Sequence, residues 1–598
     1  MFGNFWLLSP NLLMKPMINH PDITRRTLGI TFPTEQQANV VLWAPQAKQV
    51  ALAIHDQPVH LPLTNDNSGY WNLETDLIKP GDTYTFVLDD EKECADPASL
   101  AQPEGVYGPS QAVDTGKFYW EDSCWINPPL DEYIIYELDI HTFTPEGTLQ
   151  AISSKLGHLK KLGINALVIR PVAPFPDSKE QHYKESFIYA VQSCYGGATQ
   201  LQYLINACHY EGIAVILDIA PNSIDQPTTS NRGFDTYLPR KQAANPTKTL
   251  QQNERQREAY RRYLIENALM WFRDFHADGI RLNADPSRSD FGNLLQEIRE
   301  HTNQLTTRTG RQYYLLVEQD LTEIPMYSPT GLEVGAVPSA MTDDDCKSYY
   351  LTDKNGGHQT KTYREDYVYN AQFSSILQEL FDRQTKTVPD APLLVVSQNY
   401  KQTGNYAVSE EDEQVISLEL LKLTAGSIMM SPYIPTLFMG EEWGATNPFA
   451  ESLQTSPVPA VHVTDKAALL THDKPLAWEL LDQVPNKTLY QYYQALTALR
   501  RSQPALYHLN PKQVEINHRK DQQTMILHRW CRDNHVLCLM NFSREDQPIT
   551  LPSLGKNWQK LLDSADPIWD GPGASLDFLS DEDTLILEPE SIVVYKAV

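Results

Sequence analysis

The sequence predicts a multidomain α/β plus all-β protein in which two antiparallel domains flank a central TIM-type (β/α)8 barrel. Three observations carry this expectation. Short alternating runs fill residues 29–117, apolar runs alternate with helical stretches over 118–503, and alternating runs return over 504–598. Strands bounded by turn residues build antiparallel sheets, whereas strand–helix repetition builds a parallel one. At 598 residues the chain has room for roughly three or four domains of ~150 residues. The expected division is an N-terminal extension over 1–28, an immunoglobulin-like β-sandwich over 29–117, the barrel over 118–503 and a C-terminal β-sandwich over 504–598.

The elements follow in order. The extension carries Pro10, Pro16 and Pro21 and is expected to be partly ordered at best. Runs at 38–43, 49–54 and 83–88, separated by turns such as Asn65-Asp66-Asn67-Ser68-Gly69, make the sandwich strands. Barrel strands are expected at 133–138, 166–169, 214–219, 279–284, 314–317, 393–396 and 435–438, with an eighth somewhere in 332–341. Helices are expected over 149–162, with Leu156, Leu159 and Leu162 on one face, over 201–211 with Gly212 as stop, and over 489–502. An apolar helix over 269–275 precedes the fourth strand, and Gly279 is expected to break it. The C-terminal strands are placed at 524–529, 536–541 and 591–597.

Charge and composition exclude several function classes. The net charge is −27 with no basic stripe, which argues against nucleic acid and anionic membranes as partners. No apolar run reaches the ~18 to 20 residues of a membrane span, and the opening stretch lacks the features of a signal peptide, so a cytoplasmic location is expected. Seven cysteines are an odd, scattered set whose nearest pair, Cys531 and Cys538, has no metal-type spacing. Buried free thiols are expected. The 16 histidines form no HExxH pair, and Asp343-Asp344-Asp345 reads as a solvated loop, so neither metal nor cofactor is expected.

The stretch 278–285 bears most directly on chemistry. Ile280, Leu282 and Ala284 alternate with Arg281, Asn283 and Asp285, placing three polar groups on one strand face. They form either an internal Arg281–Asp285 pair or part of a reaction site. Barrel enzymes place reactive groups at the carboxyl ends of the strands. Those ends carry Asp218 and Asn222, then Arg281, Asn283 and Asp285, then Glu318, then Asn399, Tyr400 and Lys401.

These strand ends resemble the four short motifs of the α-amylase superfamily of glycoside hydrolases, family 13, and the surrounding text is similar to its maltooligosyltrehalose trehalohydrolase branch. The likeness runs from about residue 28 to the end. It includes Asp96-Pro-Ala-Ser-Leu-Ala-Gln-Pro-Glu-Gly-Val-Tyr-Gly-Pro-Ser-Gln111, Tyr136-Glu-Leu-Asp-Ile-His-Thr-Phe-Thr-Pro-Glu-Gly147 and Leu437-Phe-Met-Gly-Glu-Glu-Trp-Gly444. The resemblance implies retaining hydrolysis, with two carboxyl groups about 5 Å apart acting as nucleophile and acid. It assigns Arg281 to the motif arginine and Glu318 to the acid. It places Asn283 where the nucleophile belongs and Lys401, in Gln398-Asn399-Tyr400-Lys401-Gln402, where a stabilising aspartate belongs. The histidine after the third strand is replaced in Asn222-Ser223, and the loop Gln181-His182-Tyr183-Lys184-Glu185 keeps only the tyrosine that would stack under a sugar. Tyr183, Asp218, Asn222, Asn399 and Tyr400 are the implied substrate contacts.

An amide has no anionic oxygen with which to form a glycosyl intermediate, and an ammonium opposes a transition state that is itself positive. At ~4 Å and an effective dielectric near 20, each unit charge is worth roughly 4 kcal/mol. The expectation is therefore a pseudo-enzyme of trehalose-related carbohydrate metabolism. It would bind α-glucan or maltooligosaccharide in the old cleft or act through a protein partner, with Lys401 pairing with Glu318 or Asp285. One alternative is a hydrolase releasing trehalose with Asp285 and Glu318, although two strand residues displace the carboxylate by roughly 6.6 Å. Another is a carbohydrate-binding sandwich using Trp43, Tyr70 and Trp71, although aromatics in or beside the strands of a small sandwich more often belong to its core. Glu441 and Glu442 are expected to hold the barrel and its loops.

Overall fold

Apolar segments flanked by turn residues pair first into sheets, and the computed structural model shows how. It describes residues 21–58, 60–89, 92–175, 186–219, 246–282, 291–319, 346–350, 393–396, 406–408, 413–415, 417–445, 475–519 and 521–598. Eight parallel strands close a barrel: Ile135–Asp139, Ala166–Arg170, Ala214–Ile219, Gly279–Leu282, Tyr314–Gln319, Cys346–Tyr350, Leu393–Val396 and Ile434–Phe438. The last pairs with the first, Thr436 opposite Ile135. The first four strands are buried at every residue, which is why they read as nearly continuous apolar runs.

Four expectations need correction. The sixth barrel strand is Cys346–Tyr350, whereas it was expected in 332–341, which lies outside the described residues. Its sequence, Cys-Lys-Ser-Tyr-Tyr, contains no aliphatic run for periodicity to register. The 149–162 helix is two helices, Leu149–Ser153, whose cap Thr148 accepts from Ala151 N, and Leu156–Leu162, whose three leucines are buried as expected. Gly279 is not the helix breaker. Helix Pro246–Asp274 ends earlier, the chain turns at His276 with φ 58°, and Gly279 opens the fourth strand. A Cβ there would lie 3.0 Å from Ile216 Cγ1, so the close approach of the third strand favours glycine. Finally, Cys208 and Cys538 are buried free thiols, but Cys124 and Cys194 are exposed.

The N-terminal sandwich packs Val40, Leu42, Leu52, Trp71 and Phe86 between its sheets. Trp43 and Tyr70 face the other way and join the barrel's core cluster. The seam also has a polar component. Glu266, on Pro246–Asp274, accepts from the backbone N–H groups of Thr27 and Leu28 at 3.0 and 3.2 Å, and Arg262 lies 4.5 Å over the Tyr70 ring. Tyr263 donates to the Pro97 carbonyl at 2.8 Å. Arg26, inside the segment read as an extension, is buried and donates to the carbonyls of Leu28 and Ala98.

At the other end, a six-stranded antiparallel sheet (Val514–Arg519, Thr524–Cys531, Asn534–Asn541, Ser591–Ala597, Asn557–Asp563, Phe578–Ser580) carries a two-stranded sheet, Gln547–Thr550 with Thr584–Leu587. Helix Leu418–Met430 ends against it. Its last carbonyls, those of Met429 and Met430, and those of Ser431 and Tyr433 just beyond it are taken up by Arg500 and Arg529. No helix of the described residues is long and apolar enough to cross a membrane.

Candidate active site at the barrel mouth

Parallel pairing brings the carboxyl ends of neighbouring strands side by side, and on the first four strands those ends carry charge. Asp139 is the register partner of Arg170, and Asp218 that of Arg281. Glu137 shares a face with Asp139, two residues away. All five side chains are nearly inaccessible, Arg281 and Glu137 at 1%.

Arg281 is gripped from two strands. Its Nη1 donates to Glu137 Oε2 at 2.7 Å and its Nη2 to Glu137 Oε1 at 3.0 Å, the forked pairing that suits a guanidinium to a carboxylate. The same Nη2 donates to Asp218 Oδ2 at 2.7 Å. Arg170 flanks both acids, 3.7 Å from Glu137 Oε1 and 3.6 Å from Asp218 Oδ2. Two guanidiniums thus stand among three carboxyls. Burial pushes the third, Asp139, up from the ordinary carboxylate range, with Arg170 and Thr142 pulling the other way. Asp139 also caps helix Ile140–Phe143, accepting from Thr142 N at 3.1 Å.

The expected Arg281–Asp285 pair falls on Asp285, which lies outside the described residues; among those described, Arg281 pairs across strands. Neighbouring strands lie ~4.8 Å apart, closer than residues i and i+4 along one strand at roughly 13 Å. Asp218, expected to touch substrate, holds the arginine. Glu318 occupies the fifth strand opposite Ser348. Tyr183, Asn222, Asn283, Asp285, Asn399, Tyr400 and Lys401 lie outside the described residues. The reading of strand ends missed Glu137, Asp139 and Arg170. Their signal was an ionisable residue inside an otherwise apolar strand, which rarely goes unpaired.

Glu441 and Glu442 hold structure, as expected. Glu442 is fully buried, accepting from Tyr136 OH at 3.0 Å and bonded to His158 Nε2 at 2.9 Å, while Glu441 accepts from Tyr493 OH at 3.1 Å. The aromatic platform proposed for the sandwich is not present as such. Trp43, Tyr70 and Trp71 are 1%, 5% and 6% exposed, because a small sandwich on a large barrel spends its aromatics on its own core and the seam.

A second buried polar cluster lies at the opposite, amino-terminal end of the strands. His209 bridges Asp122 and Asp278, each at 2.9 Å, and Asp122 is also bonded to His276 and Arg311. Burial alone would lower the His209 pKa, but the carboxylates of Asp278 and Asp122 outweigh it and raise it. Burial would raise Asp122, yet bonds from His209, His276 and Arg311 hold it far below the usual range. At this end of a barrel such a network serves stability.

Comparison with known proteins agrees with this architecture. Residues 134–232 match the α-amylase catalytic domain, and residues 27–101 match carbohydrate-binding module 48, the isoamylase N-terminal domain. A malto-oligosyltrehalose trehalohydrolase of Saccharolobus solfataricus is 31% identical over 419 residues, 68% of this chain and 74% of that protein. One from Arthrobacter ramosus is 31% identical over 506 residues, 77% and 87% of the two chains. Among solved structures, a putative α-amylase of Salmonella typhimurium superposes with a TM-score of 0.71 at 22% identity, covering 96% of this chain and all of that one. A pullulanase from Anoxybacillus sp., solved with maltotetraose, gives 0.70 at 15% identity, covering 96% and 87%. With the barrel, its flanking antiparallel sheets and relatives of this identity and coverage together, the chain belongs to the malto-oligosyltrehalose trehalohydrolase branch of the α-amylase superfamily.

Proposed function

We propose that this chain is a glucan-binding member of its family in which retaining hydrolysis has been lost. One observation carries the reading. The motif arginine, Arg281, is held in the fourth strand by Glu137 and Asp218, yet two residues later the sequence has Asn283 where the family's nucleophile stands. Lys401, at the position of the second carboxylate, opposes the same positive transition state. A neutral maltooligosaccharide suits a chain of net charge −27 better than an anionic ligand does. We further propose that Tyr183, Asn222, Asn399 and Tyr400 line the binding cleft.

The test is to titrate the purified protein with maltotetraose by calorimetry and assay trehalose release from maltooligosyltrehalose in parallel. Binding heat without turnover is expected. The double variant Asn283→Asp with Lys401→Asp should regain measurable hydrolysis that Glu318→Gln then abolishes. Turnover by the parent, lost on Asp285→Asn, would instead establish a hydrolase that uses Asp285 and Glu318.

A further inference from the structure

We propose that helix Gly197–Glu211 and the segment 118–121 packed on it form a second carbohydrate site, an aromatic strip that holds a linear α-glucan outside the barrel mouth. Tyr119, Tyr203 and Tyr210 are 82%, 57% and 86% exposed. Tyr203 and Tyr210 are seven residues apart on one helix, which puts them on nearly the same face, roughly 10.5 Å along the axis. Residues 118–121 run beside them. The Phe118 ring meets Tyr203 edge-on at 4.9 Å and Trp120 at 4.7 Å, and Glu121 N donates to Asn206 Oδ1 at 2.9 Å.

The segment beside the helix is braced from below at Trp120. Trp120 stacks on His276 at 3.8 Å, and His276 is bonded to the buried Asp122 that Arg311 and His209 also hold. Exposed tyrosines on so braced a support lose little entropy when a ring stacks on them. Each tyrosine offers an apolar face beside a hydroxyl, the combination that suits a sugar's C–H face and its O–H rim. Asn206 and Glu121 add polar groups between them. Three features favour a glucan as the occupant. The chain's net charge of −27 disfavours anionic partners, the exposed rings are tyrosines with no exposed leucine or isoleucine on this helix, and the sandwich aromatics are buried elsewhere.

The site is independent of the barrel mouth, and the experiment separates the two. Retention of the full-length protein on glycogen is measured by affinity electrophoresis, beside maltotetraose calorimetry. Tyr203→Ala with Tyr210→Ala should weaken glycogen retention at least tenfold, leaving the melting temperature and the maltotetraose titration unchanged. Tyr119→Ala should weaken retention severalfold. Tyr183→Ala should do the reverse, lowering the maltotetraose heat and sparing retention. Equal retention of parent and double variant overturns the strip, as does a parent that ignores glycogen. Loss of self-association in the double variant, with retention unchanged, would mark the strip as a protein interface instead.

Discussion

At the scale of single residues, the barrel mouth is decided by how few counter-charges are available in a dry place. Arg281 satisfies Glu137 and Asp218 together, and removing one partner of such a buried network typically costs about 3–5 kcal/mol because the others remain charged and unsolvated. Arg281→Met should therefore lower unfolding free energy by about that amount in urea titrations, and a loss below about 1 kcal/mol would mean that Arg170 alone can neutralise both acids. His209 gives a prediction with the opposite kind of control. Its folded pKa is raised, so its contribution is complete below its unfolded value of about 6.5 and is lost as pH climbs through the folded value. The stability gap between the parent and His209→Gln should thus be wide near pH 6 and narrow toward pH 9 in a series of thermal melts. A gap that widens with pH would show that His209 is buried neutral. Arg281 was legible because a guanidinium in an apolar strand must find carboxylates. Which carboxylates was not legible, since Glu137 and Asp218 come from strands 144 and 63 residues away in the chain.

At the scale of elements, glycines separate two causes that a sequence shows as one letter. Gly212 ends helix Gly197–Glu211 at φ 80° with open space around its missing side chain, so Gly212→Ala should cost about 1–2 kcal/mol from backbone conformation alone. Gly279 has ordinary strand geometry but faces Ile216 at 3.0 Å and the Tyr314 carbonyl at 3.4 Å. Gly279→Val should cost about 1–3 kcal/mol through overpacking, and the paired variant Ile216→Ala with Gly279→Val should recover part of that loss, whereas no neighbouring trim should rescue Gly212→Ala. Denaturation midpoints for the variants at constant slope decide it, and the lack of rescue at Gly279 would count against the packing account. The helix stop at Gly212 was legible for this reason: the left-handed cap is local. Gly279 was misread because its requirement comes from the third and fifth strands. The sixth strand, Cys346–Tyr350, escaped notice because barrel closure places it, and its own alternation of apolar and polar residues does not.

At the scale of the whole molecule, the domains are joined by side chains that each satisfy backbone groups of a neighbour, so their stabilities should be coupled. Trp43 and Tyr70 leave the sandwich core for the barrel's, and Glu266 accepts from Thr27 N and Leu28 N while pairing with Arg262 at 3.6 Å. Arg262 and Glu266 are both nearly inaccessible, 4% and 2% exposed, so Glu266→Ala removes the carboxylate beside a buried guanidinium and the acceptor of two backbone donors. About 3–5 kcal/mol should be lost, and the loss should fall on the seam, because the sandwich's own core of Val40, Leu52 and Phe86 is untouched. Scanning calorimetry should then show a shoulder below the main transition, with the sandwich released before the barrel melts. The same change should leave the C-terminal sheet coupled, since Arg529, on its strand Thr524–Cys531, ties it to the end of helix Leu418–Met430 through the carbonyls of Met430 and Ser431. A variant that still melts in one transition, shifted by less than a degree or two, would show that apolar contact at Trp43 and Tyr70 holds the seam and that the ionic contacts are incidental to it.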